Sequence, residues 1–399
     1  MKKRILFVIN TLSTAGAEVA LLNLLKRFPK DRFSIDLFVL LAQGELVGRI
    51  PEGVRLINPT FEATSVLEED GRRTMKKRAL KLGFKNASLF RNLPYLISNG
   101  VRMAKREEKR WENLLWRVLS DGAEKSTAHY DLAVAFLEGG AAYYVAEHVS
   151  ADKKAAVLHV DYGRAGYFPS LDRDCYDSFD RIFSVSEEVR QSFLQVYPEL
   201  KEKTALLYNI IDQEEIREKA KGEGFTDEYT GVRILTVGRL TPQKGYDFAI
   251  DVLEELKKKG LPVRWYVVGE GPLREALEGQ IREKGLEKDF LLLGAKENPY
   301  PFMKQCQIYA HLTRFEGKSI AIQEALTLGC ACIASDCSGN REQIRNGEDG
   351  ILCGYNKDAA VSALTELVTD EGLRKRLSDG AKKIVMSGEE EIQKLIALI

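Results

Sequence analysis

The stretch Phe315-Glu-Gly-Lys-Ser-Ile-Ala-Ile-Gln-Glu324, continued by Ala-Leu-Thr-Leu-Gly329, decides the fold of this 399-residue chain. It follows a short apolar run, Ile308-Tyr-Ala-His-Leu312, that reads as a buried strand. Beyond Gly317 the pattern turns helical, and Gly329 suits the residue that closes a helix. Ile320, Ala321, Ile322, Ala325, Leu326 and Leu328 leave that helix apolar on nearly every side, which predicts burial. Glu324 then sets a carboxylate into or beside a core, where it needs a partner. Glu316 stands at the helix entrance. The Ser319 and Ile320 amides are helix-start donors able to receive a phosphate oxygen. A further apolar run, Cys330 to Ser335, follows, so the segment reads strand, helix, strand.

Upstream, Val232-Arg-Ile-Leu-Thr-Val-Gly-Arg-Leu-Thr-Pro-Gln-Lys-Gly245 opens a unit of the same kind. Ile234–Val237 is a strand that delivers Arg239 into a loop, and Lys244-Gly245 precede a helix from Tyr246 to Lys258. Two cations on one strand-end loop suit a diphosphate, arginine as a fork and lysine as a point charge. Val263–Gly269 and Phe290–Leu293 are further strands. Gly269-Glu-Gly-Pro-Leu-Arg274 lacks the third glycine of a dinucleotide fingerprint, so it reads as structure. Helices are expected over 358–369, 372–384 and 389–398.

The pair Glu316 and Glu324, in that setting, resembles the Glu-x7-Glu motif of the family 4 retaining glycosyltransferases (glycosyl transferases group 1). Gly-Arg…Lys-Gly at 238–245 is similar to their donor loop, and Asp336-Cys-Ser-Gly-Asn-Arg-Glu342 to a Gly-x-x-Glu segment. The resemblance is strong from 232 to 354. It implies a GT-B fold, α/β, with two Rossmann-like domains facing across a cleft. It further implies a UDP- or GDP-sugar donor and no cofactor. Arg239, Lys244 and the Ser319 and Ile320 amides would hold the diphosphate, with Gly317 and Lys318 in the same turn. Glu324 would take the ribose hydroxyls, and Glu316 the sugar.

The first half has the same grammar. Ile5–Ile9, Ile35–Leu41, Val54–Ile57, Asp131–Phe136 and Ala155–His159 read as strands. Ala15-Gly16-Ala17-Glu18 resembles the family's Gly-Gly-Ala-Glu turn with one glycine lost, which implies that Gly16 faces the donor. His159, at a strand end, is a candidate catalytic or sugar contact, and Asp161 a weaker acceptor base. Asp172-Arg-Asp174 imitates a metal motif, but no strand leads into it. Between Arg72 and Arg117 stand 14 Lys/Arg and 3 Asp/Glu, a net +11, interleaved with Leu, Phe and Trp. Such basic amphipathic helices sit on anionic membranes or bind anionic acceptors, and Lys76, Lys77, Arg78 and Lys81 are the candidate contacts. A merely solvated basic face is the alternative.

Zero net charge over the whole chain argues against nucleic acid as a partner. No apolar run reaches a membrane span, and the six cysteines form no metal-binding spacing. The expected organisation is an acceptor-side domain over 1–207 with a basic helical insertion at about 72–117. A nucleotide-sugar domain over 208–385 follows, with a linker near 208–229, and then a terminal helix, 386–399, crossing back. The expected protein is a cytoplasmic, metal-independent, retaining glycosyltransferase, peripheral on the inner membrane face. It would use a glycan or lipid-linked acceptor in capsule, exopolysaccharide or other cell-surface synthesis. A non-catalytic GT-B partner subunit and a glycoside hydrolase are the alternatives.

Overall fold

Apolar runs, each closed by a small or polar turn, build two parallel sheets in the computed structural model, which describes residues 2–65, 69–108, 110–384 and 388–399. The first sheet holds β1 (Lys3–Ile9), β2 (Phe33–Val39), β3 (Val54–Leu56), β4 (His129–Ala135), β5 (Ser150–Leu158), β6 (Arg181–Ser184) and β7 (Thr204–Leu206), in the order β3-β2-β1-β4-β5-β6-β7. The second holds β8 (Val232–Val237), β9 (Val263–Val268), β10 (Phe290–Leu292), β11 (Ile308–His311), β12 (Ala331–Ser335) and β13 (Gly350–Cys353), in the order β10-β9-β8-β11-β12-β13. Ile5 pairs with Ile35 on one side and Leu132 on the other, so β1 is covered all round and its apolar run is continuous. Parallel neighbours need crossover helices. Tyr246–Lys258 is one such helix, and it buries Tyr246, Ile250, Leu253 and Leu256 against the second sheet's core. Strand order reverses between β1 and β4, and again between β8 and β11. In open α/β sheets, ligands bind beyond the carboxyl ends of the strands at such points.

The chain divides into two units, 1–210 with 387–399, and 211–386. The terminal helix, Glu389–Ile396, belongs to the first unit, where the Glu391 carboxylate accepts the Tyr208 amide at 2.9 Å. The end of the expected 208–385 domain falls on residues outside those described. The expected linker at 208–229 is corrected: Gln213–Lys219 is a helix, capped by the Asp212 carboxylate on the Glu215 amide at 3.1 Å. Ile211 and Ile216 pack into the second unit's core.

The basic stretch forms helices Glu69–Phe84, Leu93–Lys105 and Leu115–Gly122. Lys109, counted among its cations, lies outside the described residues. Arg117 does not belong on a basic face. It is 1% exposed, ion-paired with Glu147, and donates to the Asp172 carbonyl at 2.6 Å. Its guanidinium lies 5.6 Å from the centre of the Tyr95 ring and 4.5 Å from that of Tyr143. Asp172 is itself buried and accepts the hydroxyls of Tyr143 (2.9 Å), Tyr197 (2.6 Å) and Tyr162. Asp172, the first residue of the Asp172-Arg-Asp174 imitation of a metal motif, is therefore part of a core network, while Arg173 and Asp174 are exposed.

Candidate functional site

In the second unit, the switch point between β8 and β11 gathers charge. β11 ends at His311, which is wholly buried, and its Nε2 lies 3.0 Å from Glu316 Oε2. Lys244, on the turn after β8, places Nζ 2.5 Å from the same oxygen. Two glycines allow this approach. Gly245 has φ +63°, and a Cβ there would stand 2.3 Å from the Leu312 carbonyl oxygen. A Cβ on Gly339 would stand 2.3 Å from the Glu316 carbonyl oxygen and 2.1 Å from that of Gly317. The turns after β8, β11 and β12 are thus in backbone contact around Glu316.

The electrostatics follow. Burial alone would raise the Glu316 carboxyl, but the Lys244 charge and the His311 hydrogen bond outweigh it and hold it at about 2. Burial, and then the Lys244 charge, lower His311, with Glu316 opposing. An ionised carboxylate only accepts, so a neutral His311 donates through Nε2. Its Nδ1 is enclosed with no hydrogen-bond partner among the described residues.

Arg239 is exposed on a loop pinned by Gly238 N–H to the Val268 carbonyl and Leu240 N–H to the Glu270 carbonyl, both 3.0 Å. No described ion pair engages its guanidinium. Ser319 caps the Ile320–Thr327 helix by position, yet its hydroxyl accepts no cap hydrogen bond. Gly317 and Lys318 fill the turn before it. Glu324 is half-buried and accepts the Tyr300 hydroxyl at 2.9 Å. Burial pushes it up to about 7, with the Tyr300 hydrogen bond opposing.

The first unit has its own polar cluster at the β1/β4 switch point. Glu138, just beyond β4, is 2% exposed and accepts the amides of His159 (2.5 Å) and Val160 (2.9 Å). Asn10, just beyond β1, donates to the Glu138 carbonyl at 3.1 Å and accepts the Ala141 amide at 2.7 Å. Burial drives Glu138 to about 7 against those amide bonds. His159 follows β5 with its ring 4.9 Å from Phe136. Its Nε2 is enclosed without a partner among the described residues, and burial lowers it to about 3. The ring is therefore neutral, a hydrogen-bonding group rather than a cation. Gly16 is the first residue of the Gly16–Arg27 helix, which has no side-chain cap. Asp161 is engaged, accepting the Ser192 hydroxyl at 2.6 Å and lying 3.4 Å from Arg164.

Of the four basic contacts expected on the first unit, Lys76, Lys77 and Lys81 are exposed. Arg78 is not a free surface cation. It is half-buried, donates to the Leu41 carbonyl at 3.4 Å and lies 3.5 Å from Glu62. Among the described residues, one cluster has metal-ligand geometry, Asp121, Glu147 and His148. Arg117 already pairs with Glu147, and His148 with Asp121 at 2.8 Å. His311, Tyr300, Asn10 and Glu138 are additions to the expected residues. For the last, the signal was a strand running into Glu138-Gly-Gly140.

Residues 213–384 match the family model of glycosyl transferases group 1. A Campylobacter jejuni relative, N-acetylgalactosamine-N,N'-diacetylbacillosaminyl-diphospho-undecaprenol 4-alpha-N-acetylgalactosaminyltransferase, is 33% identical over 210 residues, 52% of this chain and 56% of the relative. The Escherichia coli UDP-Gal:alpha-D-GlcNAc-diphosphoundecaprenol alpha-1,3-galactosyltransferase is 29% identical over 156 residues, 38% and 40% of the two chains. The chain spans about half the length of the curated relatives it matches. Among solved structures, Anabaena HepE in complex with UDP superposes with a TM-score of 0.66 at 18% identity, covering 100% of this chain and 99% of that one. The lipopolysaccharide outer core galactosyltransferase WaaB does so at 0.60 and 15%, covering 99% of each. The fold is GT-B.

Proposed function

We propose, from the match of residues 213–384 to the family model of glycosyl transferases group 1, that the protein transfers a sugar from a UDP- or GDP-sugar to an acceptor hydroxyl with retention. The observation that carries the reading is the convergence of Lys244, His311 and Glu316 at the β8/β11 switch point. An ammonium has three donors, so Lys244 can hold Glu316 and still present hydrogens to a phosphate oxygen. Arg239 supplies the second cation, and the Ser319 and Ile320 amides the backbone share. Together they stabilise the departing diphosphate. Glu316, fixed from two sides, accepts from the sugar hydroxyls and orients the ring. Within the first unit, Gly16 and His159 are the candidates for donor or sugar contact.

The two relatives named above act, by their names, on diphospho-undecaprenol substrates. A lipid-linked glycan acceptor is the matching choice here, in capsule, exopolysaccharide or other cell-surface synthesis. The protein would work peripherally at an anionic membrane face, with Lys76, Lys77 and Lys81 toward it. No described helix is long and apolar enough to cross a membrane.

Transfer is expected to need no divalent cation, because Arg239 and Lys244 supply the charge a metal would. Product formation in EDTA should match that in buffer. Complete loss, restored by Mn²⁺ or Mg²⁺, would contradict the assignment.

Nucleotide affinity is expected to depend on pH through Glu324. Ribose hydroxyls donate to the ionised carboxylate, and a group titrating at about 7 is neutral below that pH and ionised above it. UDP or GDP binding should therefore strengthen by about tenfold between pH 6 and 8. The same titration with Glu324→Gln, which retains the nucleotide's own ionisation, isolates the side chain. Parallel profiles for the two proteins would remove Glu324 from the ribose.

A further inference from the structure

β4 and β5 stay paired as far as Ala135 and Ala156, and there β4 leaves the sheet. β5 runs on beside β6, with Leu158 opposite Ser184. The next two amides, of His159 and Val160, have lost the neighbouring strand that would have received them. Both go instead to one oxygen of Glu138, at 2.5 and 2.9 Å. Successive amides that converge in this way make a small anion seat, and the Glu138 carboxylate fills it.

Glu138 is itself built into place. Asn10, 4% exposed at the end of β1, spans its turn, donating to the Glu138 carbonyl at 3.1 Å and accepting the Ala141 amide at 2.7 Å. Gly139 has φ +70°, and a Cβ there would stand 2.8 Å from Tyr167 Oη and 3.0 Å from Trp116 Cδ1. The ends of β1, β4 and β5 are thus tied together around one carboxylate. The His159 side chain has no comparable anchor. Its Nε2 is enclosed without a partner among the described residues, and its ring rests 4.9 Å from that of Phe136. The ring is therefore placed by its own backbone, and Glu138 grips the N–H of that same residue. Asp161, two residues on, is occupied elsewhere, by the Ser192 hydroxyl at 2.6 Å and the Arg164 amide at 3.0 Å.

We propose that Glu138 is a positioning residue for sugar transfer, fixing the His159 ring by holding the His159 and Val160 amides. It acts through His159 rather than on the sugar, and so rests on the reading of His159 as a sugar contact. What the two amides need is an oxygen with two lone pairs. A carboxamide has one, so glutamine can take the seat and alanine cannot.

The test uses the full chain with Glu138→Gln, Glu138→Ala, His159→Ala and the Glu138→Ala/His159→Ala double variant. In Glu138→Ala, kcat should fall on the order of 10²-fold, the scale of a displaced reacting group, and Glu138→Gln should restore most of it. UDP affinity should be unchanged in all four. Added to His159→Ala, Glu138→Ala should cost a further factor of about two or less, because the pair acts as one unit. Losses that multiply would make Glu138 a general support of the fold and overturn the proposal. Equal losses in the glutamine and alanine variants would also overturn it, giving the role to the charge. A second readout needs no donor. The chain has four histidines, so substitution assigns their imidazole nitrogen NMR signals. In wild type and Glu138→Gln the His159 ring should stay neutral down to about pH 5, because burial holds it at about 3. In Glu138→Ala the released ring should titrate near the ordinary value of about 6.5. An unmoved His159 signal in folded Glu138→Ala protein would overturn the proposal. If wild type transferred no sugar from any nucleotide sugar, the proposed reaction would fall, and the imidazole signals would still decide whether Glu138 places the ring.

Discussion

Glu316→Gln is expected to lower kcat by a factor on the order of 10²–10³, the scale of a lost transition-state contact, while free UDP or GDP affinity stays nearly intact. The structure gives the reason for the split. Glu316 is held by His311 and Lys244 on one oxygen, with Gln243 3.5 Å from the other. Its carboxyl is kept ionised far below neutral pH. Glutamine keeps the shape but removes the charge that orients sugar hydroxyls as the bond to the diphosphate breaks, an effect felt after binding. Lys244 loses its counter-ion and stays free to meet phosphate, so nucleotide binding has no cause to fall. Glu324→Gln is the contrast, since it should weaken the nucleotide first. Calorimetry for binding and product formation for transfer separate the two. Equal loss of nucleotide affinity in both variants, or full transfer in Glu316→Gln, would undo the roles.

Arg239→Ala is expected to weaken UDP or GDP binding by about 10- to 150-fold, the equivalent of one charge-assisted hydrogen bond at about 1.5–3 kcal/mol. Arg239 has no described ion pair to break, so the mutation removes a ligand contact without disturbing the protein. Its exposure makes the effect sensitive to salt, and affinity in wild type should fall with ionic strength more steeply than in the variant. Lys244→Ala should behave differently. It removes the charge that holds Glu316 down, leaving burial to raise that carboxyl, so transfer should fail beyond what nucleotide affinity explains. Unchanged affinity in a folded Arg239→Ala protein would remove it from the diphosphate.

The long, strongly periodic elements were legible in the sequence. The Tyr246–Lys258 helix has the expected bounds, and β11, with the helix after it, lies where the apolar pattern put it. Among short elements the outcome was mixed: β3 and β10, three residues each, were marked by their apolar residues, whereas β7, also of three residues, and the seven-residue Gln213–Lys219 helix were missed. In the site, Glu316 and Lys244 could be singled out by type and spacing, but not as partners, because 72 residues separate them. His311 was hidden by its own context. Set in an apolar run, it read as one more strand residue, although the buried imidazole needs Glu316 to satisfy it. Glu138 escaped for the complementary reason, since its acceptor role depends on amides from another strand's end. Arg117 shows the limit of counting charges: composition cannot distinguish a buried cation set against tyrosine rings from one in solvent.

The missing side chains at Gly245 and Gly339 bear on how this site can be re-engineered. Each leaves room for the backbone of a neighbouring turn, at 2.1–2.3 Å from where a Cβ would stand. The three turns are therefore a single mechanical part, not three modular loops. A donor preference transplanted from a relative by exchanging one turn would import a backbone path that its two neighbours do not accommodate. Segments 238–245, 312–317 and 336–342 have to be grafted as one block, and directed evolution confined to any one of them explores only changes the other two already tolerate.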